Sequence, residues 1–145
     1  MGNLVDDVAE MIRRDGKAWN FPLSPEEVGR HLMRSLPDVK EVVVLHSNPG
    51  PEHVFVDQVS DRLIGVIDLG DAYFSHTVND LRRFRAPADR QAVLDGYLQD
   101  APVSTDFMAA WRVACGVADM VTIAYSPENQ TAAQAELTQL LNEIE

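Results

Sequence analysis

The sequence predicts an α+β domain, mainly helical, around a small core of three short strands. Two patterns carry this reading. Apolar residues recur at helical spacing toward both ends of the chain, and between Val42 and Ile67 they gather instead into short β-branched runs. Size sets the rest: 145 residues, 46% of them hydrophobic, bury one ordinary core and not two, so residues 1–145 are expected to form a single domain. No repeat, low-complexity stretch or interdomain linker interrupts it.

The elements follow in order. Leu4, Val8, Met11 and Ile12 share one helical face, with acids expected in the first turn and Arg13-Arg14 in the last, where they complement the helix dipole; Asp15-Gly16 stops the helix. Ser24-Pro25-Glu26-Glu27 is a capping box with proline at the first helical position. The helix it opens turns Val28, Leu32 and Leu36 inward and ends by Pro37, with His31 a partly exposed polar residue. Val42 to Leu45, Val54 to Val56 and Leu63 to Ile67 read as strands, the last two joined by the polar turn Gln58 to Asp61. Gln91 to Leu98 forms an amphipathic helix, and Phe107, Trp111, Ala114, Val117, Ala118 and Val121 line a longer one. Ser126-Pro127-Glu128 caps a last helix with Leu137, Leu140, Leu141 and Ile144 inward. Cys115 lies beside the apolar stripe and reads as a buried, inert thiol.

Charge narrows the partners. A net charge of −11 and a pI near 4.6 argue against nucleic acid, whose phosphates the surface would repel. A single cysteine excludes an internal disulfide and suits a reducing compartment. No apolar run is read as a membrane span, and Asp6 and Asp7 are unlike a signal peptide, so a cytoplasmic protein is expected.

Strand spacing alone assembles a polar mouth. If Asp57 sits opposite Arg62 in the hairpin, His53 falls opposite Val66 and Asp68 lies just past the same end. The loop carrying His46 and Asn48 enters beside them. A histidine next to a carboxylate is a competent acid and base near neutral pH.

These residues sit in two stretches, His46-Ser47-Asn48-Pro49-Gly50-Pro51-Glu52-His53-Val54-Phe55-Val56-Asp57 and Gly65-Val66-Ile67-Asp68-Leu69-Gly70-Asp71-Ala72. Together they resemble the active-site core of the aminoglycoside phosphotransferase and choline-kinase-like family, H-G-D-x-x-P-x-[NH]-h-h-h-D followed by G-V-I-D-[FW]-G-D. The resemblance implies the kinase-like C-terminal lobe, with no counterpart of the N-terminal nucleotide lobe ahead of the motif. It places Asn48 at the catalytic aspartate, and His53 and Asp68 at the two positions that hold magnesium under the nucleotide phosphates. Asp80 matches the structural aspartate of the D-P-x-x-D-L ending, here His76-Thr77-Val78-Asn79-Asp80-Leu81.

Asn48 departs from that pattern in a way that bears on chemistry, because an amide cannot accept a proton near neutral pH. His53 and Asp68 alone are a thin site for a hard oxygen-seeking ion, so neither a metal nor another cofactor is expected. The resemblance extends to the reduced phosphotransferase-like proteins of thioamitide and lanthipeptide biosynthesis. It implies a nucleotide-independent cyclase, of lyase type, that closes a thioether of the aminovinyl-cysteine or lanthionine kind on a modified precursor peptide. His53 would be its acid and base, Asp68 the orienting carboxylate and Asn48 a hydrogen-bonding partner for a substrate amide. Asp71, His46, Tyr73 and His76 would line the peptide groove. Three of these have a plainer reading: His46 as the tie between its loop and the backbone, Asp71, like Asp80, as an acceptor for loop amides, and His76 as a surface residue. Two other functions stay open, a non-catalytic pseudokinase module that binds a peptide or partner, and a fragment of an ATP-dependent phosphotransferase. A homodimer or a complex with other biosynthetic enzymes is expected to cover apolar surface left beside the motif, with neither nucleic acid nor membrane as partner.

Overall fold

A computed structural model of the chain describes residues 2–16, 18–38, 42–84, 86–99 and 103–144. Four helices make the core: α1 (Gly2–Asp15), α2 (Pro25–Arg34), α5 (Thr105–Tyr125) and α6 (Gln130–Ile144). Val5, Val8, Ala9 and Ile12 of α1 meet Val28 and Leu32 of α2, and α5 and α6 close over them with Val117, Met120, Ile123, Leu137 and Leu141. A second cluster joins Val78, Leu94, Phe107, Trp111 and Leu140, and it brings in the short helix α3 (Val78–Leu81) and α4 (Pro87–Leu98).

The local signals explain the ends. Ser24 accepts from the Glu27 amide while Glu27 accepts from the Ser24 amide, the reciprocal capping box, with Pro25 in the first turn. Ser24 thereby holds the Glu27 carboxyl below its ordinary value. Arg13 and Arg14 occupy the last turn of α1 as expected, but Asp6 and Asp7 fall beyond its first turn because the helix begins at Gly2. The α5 N-cap is Ser104, whose side chain accepts from the Phe107 amide. Ahead of α6, Pro127–Asn129 forms a 3-10 turn, so that helix starts later than its proline suggested. Helix α5 has the length and hydropathy of a membrane span, yet 78% of its most apolar window is buried inside this bundle. Such a helix is the natural centre of a globular helical core.

The strands form two antiparallel pairs. β2 (Val54–Val56) pairs with β3 (Leu63–Val66) as the hairpin, and β1 (Val43–Leu45) pairs with a fourth strand, β4 (Tyr73–Ser75), which the sequence pattern did not reveal. The hairpin turn closes on Asp57, whose Oδ1 accepts from the amides of Val59 and Ser60 and from the Ser60 hydroxyl. The register differs by one residue from the simple expectation. Asp57 does meet Arg62, but a bulge between Phe55 and Val56 shifts the far end, so Val54 faces Val66 and the Ile67 amide donates to the His53 carbonyl.

Candidate functional site

The loop after β1 is tied at both ends. Asp80 of α3 accepts from the His46 amide at 2.7 Å and from the Ser47 amide at 3.0 Å, so a carboxylate reaching across from a helix fixes where the loop begins. Ser47 adopts φ 82°, a left-handed conformation that favours glycine, and it stands at the glycine of the H-G-D pattern. His46 is buried with both ring nitrogens engaged. Its Nδ1 accepts from the Asn48 amide at 3.3 Å, which leaves Nε2–H to donate to the Ile67 carbonyl at 2.6 Å. One imidazole thus ties the β1 loop to the end of β3.

The bulge then sets up the mouth. His53 closes the 3-10 turn Pro51–His53, and its Nδ1 lies 2.6 Å from the Asn48 carbonyl oxygen. A carbonyl only accepts, so Nδ1 carries the proton and Nε2 is the nitrogen left for chemistry. Nε2 faces Asp68 Oδ2 at 3.6 Å, with the His53 side chain 17% exposed and that of Asp68 66% exposed. Asp68 reaches this position through a left-handed backbone, φ 67° and ψ 54°, that turns the chain out of β3 into the 3-10 turn Leu69–Asp71. The rings of His46 and His53 stack at 5.9 Å.

Asn48 touches His53 through its carbonyl oxygen alone. The residue also lines a groove of about 730 Å³ between the Asn48–Glu52 loop, α1, α5 and the end of α3. The other expected groove residues scatter. Asp71 is exposed on the turn after Asp68, and Tyr73 is exposed on β4. His76 is not a surface residue: it is buried, its Nδ1 accepts from the Val78 amide, and its ring packs 5.9 Å from that of Phe107. Cys115 is buried, and that burial pushes its thiol up to about 12, so no thiolate forms there near neutral pH.

The metal that the phosphotransferase pattern implies finds a poor donor set. One imidazole nitrogen and one carboxylate face each other, and no group of three His, Cys, Asp or Glu able to hold a metal occurs among the described residues. A hard, oxygen-seeking magnesium ion does not fit that pair.

Two arginines escaped the sequence reading. Arg90 is buried and bonded to Asp119 of α5, Glu136 of α6 and the Phe84 carbonyl, a charged network that joins three helices. Arg82 caps α3 and lines the groove beside Asn48. Nothing in the spacing of either distinguished it from a solvated surface arginine.

Among known protein families and curated proteins, the chain matches none. Among solved structures it is similar to the crystal structure of an aminoglycoside-3'-phosphotransferase of type VIII, with a TM-score of 0.52 and 21% identity over 79% of this chain. The fold is therefore that of a kinase-like C-terminal lobe with a small antiparallel strand core. The chain spans about half, 49%, of the length of that structure.

Proposed function

We propose that this kinase-fold chain carries out proton-transfer chemistry at His53 and Asp68 rather than base-catalysed phosphoryl transfer at position 48. The supporting observation is the commitment of His53 Nδ1–H to the Asn48 carbonyl, which turns Nε2 toward Asp68 at the open mouth of the hairpin. At the position where the phosphotransferase pattern has its base stands an amide, which holds no proton acceptor for that step.

The reaction we place there is closure of a thioether ring on a modified precursor peptide. The cysteine thiol gives its proton to His53 Nε2, sulfur bonds to the β-carbon of a dehydroamino acid, and the displaced π electrons form an enolate. His53 then returns the proton to the α-carbon, so no nucleotide is consumed and the mass is unchanged. Asp68 stabilises the imidazolium between the two transfers. A synthetic peptide carrying one dehydroalanine and one cysteine tests this through loss of thiol alkylation. His53→Ala should slow closure by about a hundred- to ten-thousand-fold while the far-UV spectrum is unchanged, and Asp68→Asn should cost less. Full activity in His53→Ala overturns the mechanism.

A second reading has its own support. The chain spans half the length of the similar phosphotransferase, and its strands expose apolar residues, Phe74 at 73% and Ile64 at 69%, that another folded unit would cover. In that reading the chain is one lobe of an ATP-dependent phosphotransferase. Micromolar binding of Mg-ATP, or ATP turnover with an aminoglycoside acceptor, would favour it over the cyclase.

A further inference from the structure

Arg82 at the end of α3 and Arg90 in α4 sit in very different electrostatic company. The charge of Arg90 is met by Asp119 and Glu136. Arg82 is 8% exposed, its backbone N–H caps α3, and its guanidinium has no hydrogen bond or ion pair among the described residues, with Nε buried and without an acceptor. Burial pushes its guanidinium down to about 10, which still leaves it cationic at neutral pH. A buried charge is ordinarily paired, because leaving water without a counter-ion is costly.

The space it lines is large enough for a small molecule. The groove of about 730 Å³ falls within the range typical of small-molecule sites. One wall is apolar, with Leu4, Val8 and Met11 of α1 facing Ala118 and Val121 of α5. Its polar lining includes Arg82, the exposed Arg83 and Asn48. Glu52 is the carboxylate on the rim, so the two guanidiniums outnumber it.

We infer that this groove binds a small amphiphilic oxyanion, with the carboxylate or phosphate group on Arg82 and the apolar body lying between α1 and α5. A guanidinium fork pairs with either group through parallel N–H bonds, and it does so most strongly where water is excluded. Arg83 closes over the same anion from the solvent side. The assignment is independent of the chemistry proposed at His53, which lines none of this groove.

Octanoate, octyl phosphate and octylammonium are the probes, titrated into the full chain with amide NMR and thermal melting as readouts. One or both anions should bind saturably, shift the amides of Val121 and Thr122 and raise the melting temperature, while octylammonium does neither. The tighter anion names the head group. Arg82→Met should weaken that binding at least about tenfold yet raise the melting temperature of the free protein, since it removes an unpaired buried charge. Arg82→Lys, which keeps the charge and loses the fork, should weaken it several-fold. Absence of saturable anion binding to the unaltered chain overturns the inference, as do anion shifts confined to residues outside the groove or unchanged affinity in Arg82→Lys.

Discussion

Replacing Asp80 by asparagine removes the negative charge that anchors the loop carrying His46 and Asn48. The carboxylate accepts two backbone bonds, at 2.7 and 3.0 Å, from residues more than thirty positions away in sequence. A hydrogen bond to a charged group contributes about 1.5–3 kcal/mol. Asparagine keeps one acceptor oxygen, but its amino group then confronts the second N–H, so one bond is lost and the other loses its charge. Because Asp80 is only partly buried, the expected loss is about 2–3 kcal/mol. With a urea dependence of about 2 kcal/mol per molar for a domain of this size, the unfolding midpoint falls by about 1–1.5 M. Urea unfolding followed by circular dichroism measures that shift, and hydrogen exchange at the His46 and Ser47 amides reports whether the loop loosens first. A midpoint displaced by less than about 0.3 M, with those amides still protected, would refute the claim that this carboxylate organises the site.

Three further outcomes are expected. Arg90→Met leaves Asp119 and Glu136 facing each other without their cation and should destabilise the fold by about 3–5 kcal/mol, whereas also replacing both acids with leucine should recover most of it in thermal melts. Gly116→Ala places a methyl group 2.6 Å from Leu32 Cδ2 where α5 crosses α2, and should cost about 1–3 kcal/mol in the same measurement. The Ser24 amide holds the Glu27 carboxyl below its unfolded value, so its stabilisation is present above the unfolded pKa and disappears as pH falls through the folded one. Glu27→Gln should accordingly flatten the loss of melting temperature between about pH 5 and pH 3.

What the sequence revealed divides along the line between local and distant interactions. The capping box at Ser24, the stop at Asp15-Gly16 and the face of α5 were legible because each is decided within a few residues. So was the proximity of His53 and Asp68, which follows from hairpin pairing and tolerates a one-residue bulge. β4 was not legible: three residues after a tight turn become a strand only because β1 lies beside them. Nothing local distinguishes Asp119 and Glu136 from solvated acids; three helices bring them onto Arg90. Arg82 is the same problem with the opposite result, a charge whose burial comes from packing while its counter-ion is missing among the described residues.

The hairpin of β2 and β3 contacts mainly itself and the turn before it, and its bonds to the rest of the chain include the one from His46 to Ile67. Segments with few buried apolar contacts open at a lower free energy than the core that carries them. Opening of this hairpin parts Asp68 from His53 while the four-helix core stays folded. The pair at its mouth is therefore a state with a population, not a fixed constellation. Whatever binds the apolar side chains of Ile64 and Val66, which share one face of the hairpin, raises that population without touching a reacting atom. A body docked on the strands would set how often the pair is formed, and under the proposed chemistry its effect would register as a change in active fraction rather than in the rate of each proton transfer.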